Sequence, residues 1–190
     1  MMRSDRVFAT RVMAESGMVI ALATALSLVK FFTAPFGGSV TAGSMIPIIL
    51  LSMLRGPVVG VTVGVLYGMV QFMLGPWFLT PLQFVLDYPA AFACLGLAGF
   101  LWSPGQSEEH SSFHRLLAVA PAVGFAIGGR FLSHFFAGVF FWGHYAPEGT
   151  SPWVYSLLYN AGYLVPEFAI SAAIAWFLLP SITRIMRGKA

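Results

Sequence analysis

The chain has 190 residues, of which 58% are hydrophobic and only 9% charged, with a mean hydropathy of +0.81. A soluble domain carries about 25% charged residues, so this composition leaves too little polar surface to cover a water-facing protein and excludes a soluble globular enzyme. The formal charge of +3 is spread over ten Lys and Arg that form neither stripe nor cluster, which excludes a nucleic-acid surface and leaves lipid as the solvent.

Apolar runs at 12–32, 44–54, 57–74, 79–102, 115–141 and 153–179 predict an all-α integral membrane protein, a six-helix bundle forming one domain over residues 1–190. The first run follows Arg3, Arg6 and Arg11 and carries Gly17, Ala21 and Ala25 at four-residue spacing, a small-residue face that permits close helix approach. A basic start before an apolar run is also the pattern of a cleaved leader. The second run has Pro47 inside it and falls short of the roughly 17 to 25 residues a crossing needs, so it is extended back to span 40–54, with a re-entrant segment as the alternative. In the third, Gly60, Gly64 and Gly68 predict internal packing, and the lone Cys94 of the fourth predicts packing and excludes a disulfide within the chain. Ser103 to His114 is the one hydrophilic loop of any length. Alternating sides puts Arg3, Arg6, Arg11, Arg55, Arg115, Arg184, Arg187 and Lys189 together and leaves Lys30 and Glu148 opposite, so the positive-inside rule predicts both termini in the cytoplasm.

Ionisable and amide side chains inside lipid-spanning segments are costly, and each is a candidate for function. Asp87, His134 and Asn160 all lie about 10 to 12 Å in from the outer ends of their spans, at 1.5 Å per helical residue. Aromatic residues surround that level: Tyr88 beside Asp87, Trp142 beyond His134, and Tyr155 and Tyr159 before Asn160. An acid, an imidazole and an amide at one depth among aromatics predict an apolar-walled pocket opening outward. Simpler roles compete: His134 as a helix-to-helix hydrogen-bond partner, and Trp153 as part of an interfacial aromatic belt. Arg130 and Glu167 approach the midplane, where they are expected to pair with each other, Arg130 also orienting His134 one turn later.

Arg130-Phe131-Leu132-Ser133-His134, the run Phe140 to Pro147, and Tyr155 to Asn160 resemble the last two helices of the thiamine-specific substrate-binding (S) components of energy-coupling factor (ECF) vitamin importers. The resemblance extends to Arg55-Gly56, the Gly-rich third run and Asp87-Tyr88-Pro89-Ala90-Ala91-Phe92, and covers about residues 12 to 180. It implies six helices in the cell membrane, thiamine bound near the outer face, and recruitment by a transmembrane coupling protein with two cytosolic ATPases. ATP would be consumed by those partners, with no cofactor in this chain. Carried over by position, the ligand contacts fall on Asp87, Tyr88, His134, Trp142, Tyr155 and Asn160, and the docking face on Ala21 and Ala25. The family typically has glutamate in place of Asp87 and a first-loop tryptophan where this chain offers at most Phe36.

Thiamine is a flat cation bearing an aminopyrimidine, which suits an aromatic wall from Trp142 and His134, a carboxylate at Asp87 and an amide at Asn160. Another vitamin or a thiamine precursor is the alternative ligand. An intramembrane enzyme is the competing class, but Gly43-Ser44 lacks the serine-elbow spacing and the chain has neither HExxH nor paired catalytic carboxylates, so no catalytic or metal-ligating residue is assigned.

Overall fold

The computed structural model describes residues 3–102 and 112–187, with side chains over 8–102 and 113–185. The stretch 103–111 of the expected hydrophilic loop, Lys189, and the side chains of Arg3, Arg6 and Arg187 lie outside the described residues. Six helices account for most of the rest: α1 (Arg3–Leu28), α2 (Ile46–Arg55), α3 (Pro57–Leu74), α4 (Pro81–Phe100), α5 (Ser112–Ala137) and α6 (Pro152–Arg187). Between α1 and α2 a small antiparallel hairpin pairs β1 (Lys30–Thr33) with β2 (Ser39–Thr41). Proline opens α2, α3, α4 and α6, where its missing N–H costs nothing and its fixed φ suits the first helical turn.

Among the described residues five helical stretches are long and apolar enough to cross a bilayer, and α2 is not one of them. Its ten residues span about 15 Å against a hydrocarbon thickness of about 30 Å, and Ile46 to Met53 are buried throughout. The helix expected over 40–54 therefore begins only at Ile46, because Val40 and Thr41 belong to β2 and a turn follows. Strand and helix together still carry the chain down the bundle, since extended backbone covers about twice the distance per residue. Arg55, at the end of α2, reaches Glu15 of α1 with Nε and Nη2 both at 2.7 Å and lies over the Phe8 ring. At the same end, Arg115 of α5 covers the Trp176 ring of α6 at 5.1 Å. Arg11, Arg55 and Arg115 thus lie at one end of the bundle, while the hairpin, which carries Lys30, caps the other and Arg130 lies between them beside His134.

The glycines of α3 serve internal packing, as expected. A Cβ on Gly64 would stand 2.2 Å from the Phe92 carbonyl oxygen, and one on Gly68 2.7 Å from that of Tyr88, so α3 and α4 touch backbone to backbone. By contrast Gly17, Ala21 and Ala25 are exposed on α1, and a Cβ at Gly17 would meet nothing within 4 Å. Buried side chains such as Met45, Ile49, Tyr67, Leu95 and Leu164 fill the interior, while Met13, Leu22, Met73, Phe100, Leu158 and Phe177 point outward. That inverted surface is what lipid requires.

Pro89 shapes the fourth helix. Its ring clashes with the carbonyl one turn earlier, and Leu86–Ala90 widens into a π-type turn. The Leu86 carbonyl accepts a hydrogen bond from Ser133 Oγ of α5 at 2.6 Å, which ties the distorted segment to the helix bearing His134. A second wide turn, Gly138–Trp142, followed by a tight turn at Gly143–Tyr145, ends α5 and brings Trp142 over the bundle end.

Candidate ligand-binding site

Under the hairpin lies a cavity of about 300 Å³, and Asp87, Tyr88, His134, Trp142, Tyr155 and Asn160 all line it. The π-type turn of α4 directs Asp87 inward, where its carboxylate accepts from three side chains: Gln83 Nε2 to Oδ2 at 2.7 Å, Trp142 Nε1 to Oδ2 at 3.0 Å, and His134 Nδ1 to Oδ1 at 3.1 Å. Arg130 Nε donates to His134 Nε2 at 3.2 Å, which leaves that nitrogen as acceptor and the ring proton on Nδ1, facing the acid. Arg130, His134 and Asp87 thus form a chain of alternating donors and acceptors along the α4–α5 seam.

Arg130 and Glu167 make no ion pair among the described residues, contrary to the pairing expected from their depth. Arg130 lies 4.3 Å above the Phe92 ring and gives Nε to His134. Glu167 turns instead to the hairpin, its Oε1 accepting from the Thr41 amide at 2.5 Å and from Thr41 Oγ1 at 2.6 Å. The orienting role expected of Arg130 is present in the geometry.

Aromatic rings close the cavity. Trp142 packs edge-on against Trp77 at 5.8 Å, and Phe36 sits 6.2 Å from Trp142, 6.3 Å from Trp77 and 4.4 Å from Tyr145. Phe36 adopts φ 61°, a left-handed conformation uncommon outside glycine, and the three rings around it hold it there. Gly38 allows the hairpin to lie on α6, because a Cβ would come within 2.8 Å of the Tyr163 ring. Tyr159 fastens it, its hydroxyl donating to the Pro35 carbonyl and accepting from the Gly38 amide.

The remaining expected residues are partly committed to protein contacts. Tyr88 gives its hydroxyl to the loop before α4, donating to Gly75 O at 2.8 Å and accepting from Trp77 N at 2.9 Å, and offers the cavity mainly its ring. Asn160 Nδ2 donates to Ser156 O at 2.9 Å, and its Oδ1 accepts from Tyr163 at 2.8 Å, keeping one free lone pair. Trp153 is half-exposed against Phe135 and Phe140 and does not line the cavity. Sequence reasoning missed Trp77, Tyr163 and Gln83. A tryptophan in the Gly75-Pro76-Trp77 turn and the Thr80-x-x-Gln83 spacing at a helix start were the available signals.

A lipid-embedded bundle that roofs a polar cavity with aromatic side chains at one end is the architecture of a solute-binding membrane transport protein. The chain belongs to the thiamine transporter protein (Thia_YuaJ) family, whose sequence pattern it matches over residues 13–187. It is 37% identical to the thiamine transporter ThiT of Bacillus subtilis (strain 168), covering 92% of this chain and 93% of that protein. It is 34% identical to the thiamine transporter ThiT of Lacticaseibacillus paracasei, covering 94% and 91% respectively. The solved structure of ThiT from Listeria monocytogenes shares the fold with a TM-score of 0.77 at 24% identity, over 91% of this chain and 95% of that one. The relatives are transporters, so this chain is a multi-pass membrane transport protein and not an enzyme.

Proposed function

We propose that the chain is the thiamine-capturing S component of an ECF-type importer, taking the vitamin from outside at the hairpin end and delivering it with a transmembrane coupling protein and two cytosolic ATPases. The observation that carries this reading is the hairpin-roofed cavity in which Trp142, His134 and the Asp87 carboxylate are joined by hydrogen bonds. An indole and an imidazole form a wall for the flat thiazolium, worth about 0.5 to 2 kcal/mol by cation-π attraction. Asp87 keeps a free lone pair on Oδ1, and its negative charge complements the cation. Tyr88 and Tyr155 present rings to the same space, and Asn160 Oδ1 accepts from an aminopyrimidine hydrogen. ATP is consumed by the partners, and the basic end of the bundle faces the cytoplasm.

Titrating the purified protein with thiamine while following tryptophan emission tests this reading. One-to-one quenching that is lost in Trp142→Phe is expected. Since that substitution removes both the indole face and the Nε1 bond to Asp87, affinity should fall by about 30-fold, or about 2 kcal/mol. Running thiamine phosphates, thiamine precursors and other vitamins beside it identifies the ligand, and tighter binding of any of them than of thiamine overturns the assignment.

A further inference from the structure

Gln83 is fully buried behind the cavity wall, one turn before Asp87 on α4. All of its side-chain hydrogen-bonding groups are used. Its Oε1 accepts from Leu79 N at 2.9 Å, while Nε2 donates to Trp77 O at 3.2 Å and to Asp87 Oδ2 at 2.7 Å. Thr80 caps the same helix start, its Oγ1 accepting from Gln83 N at 3.1 Å. A Thr-x-x-Gln or Thr-x-x-Glu pair is an ordinary helix-start device, and it needs only the side-chain acceptor. The amide hydrogens are surplus to capping, and they go to the loop bearing one indole and to the acid that holds the other.

We propose that Gln83 is a positioning residue for the binding wall, joining Trp77 and Trp142 through its single amide nitrogen. Trp77 is anchored by its backbone carbonyl, beside the bond its amide makes to the Tyr88 hydroxyl, and Trp142 through Asp87 Oδ2, so one buried side chain outside the cavity lining links the supports of the two indoles that meet edge to face. In a buried setting an unpaired carbonyl or carboxylate lone pair is costly, and removing the amide hydrogens frees Asp87 and the Trp77 turn to seek other partners. The inference deepens the thiamine reading and rests on it for its functional consequence, while the placement of Trp142 does not.

The test uses three variants of the full chain. Gln83→Glu keeps an acceptor for Leu79 N and replaces the amide hydrogens, Gln83→Met removes both functions at similar size, and Thr80→Ala breaks the cap alone. Near-ultraviolet circular dichroism without ligand, with Trp142→Phe as the reference for the Trp142 band, should show that band altered in both Gln83 variants and unchanged in Thr80→Ala. Thiamine affinity by calorimetry should fall about ten-fold or more in both Gln83 variants, chiefly through faster dissociation, and stay within about two-fold in Thr80→Ala despite a lower unfolding midpoint. An unaltered Trp142 band, or equal affinity losses in Thr80→Ala and Gln83→Met, overturns the proposal. A parent chain that binds no thiamine overturns the transport reading instead, and the ligand-free Trp142 band still decides whether Gln83 places that indole.

Discussion

Asp87 is held by Gln83, Trp142 and His134, so its carboxylate both organises the wall and faces the cavity. Asp87→Asn keeps the size but offers one acceptor oxygen where two now serve three donors, and its own amide hydrogens would oppose those of Gln83 or Trp142. Thiamine binding should weaken by about ten-fold or more, about 1.4 kcal/mol, because the bonds lost are charge-assisted. Calorimetry on the variant checks this, and parent-like affinity would remove Asp87 from the site. The residue was legible in the sequence because a carboxylate in an apolar run is expensive, and the same cost exposed His134 and Asn160. Gln83 escaped notice because an uncharged amide near a helix start looks like a cap. Trp77 escaped because an interfacial tryptophan usually needs no further explanation. The expected Arg130–Glu167 pair failed for a geometric reason: similar depth says nothing about direction, and Glu167 points to Thr41 on a hairpin that carried no sequence signal of its own.

At the scale of elements, glycine spacing separates two kinds of helix face. The α3 stripe meets the backbone of α4, and Gly64→Ala would drive a methyl to 2.2 Å from the Phe92 carbonyl oxygen, with no flexible side chain to yield. A loss of about 3 kcal/mol is expected, read as a lower unfolding midpoint in detergent together with weakened thiamine binding, since Tyr88 and Asp87 ride on the displaced helix. Gly17→Ala meets open space on α1 and should stabilise by up to about 1 kcal/mol, the usual helix-propensity gain. The sequence distinguished these faces only by argument, because the same four-residue spacing serves both. Five long helices were plain from their apolar runs, whereas the second was overextended: a fully buried ten-residue helix and a strand that lines a cavity are both apolar, and composition alone does not divide one from the other.

For the whole molecule, the described ends of the chain and the side chains Arg55, Arg115 and Arg184 define a basic end opposite the cavity. Reporter fusions at either terminus should read cytoplasmic, as the positive-inside rule requires of the proposed orientation. Gly17, Ala21 and Ala25 form an exposed line on α1, and on the proposed reading it is this line that a coupling protein would meet. Its small side chains let a partner helix approach backbone to backbone, and in lipid such packing substitutes for the hydrophobic drive that water would supply. The line lies on the outside of the bundle and none of its residues lines the cavity, so bulk added there separates assembly from binding. Replacing Ala21 and Ala25 together by Trp should leave thiamine affinity of the isolated chain within about two-fold of the parent, because no cavity contact changes. Co-purification with the coupling protein and thiamine uptake by cells should both be lost, since two indoles hold the helices several ångströms apart. If uptake persists with the indoles in place, docking uses another face of the bundle, and if binding by the isolated chain fails as well, α1 supports the cavity from outside in a way its exposed position does not reveal.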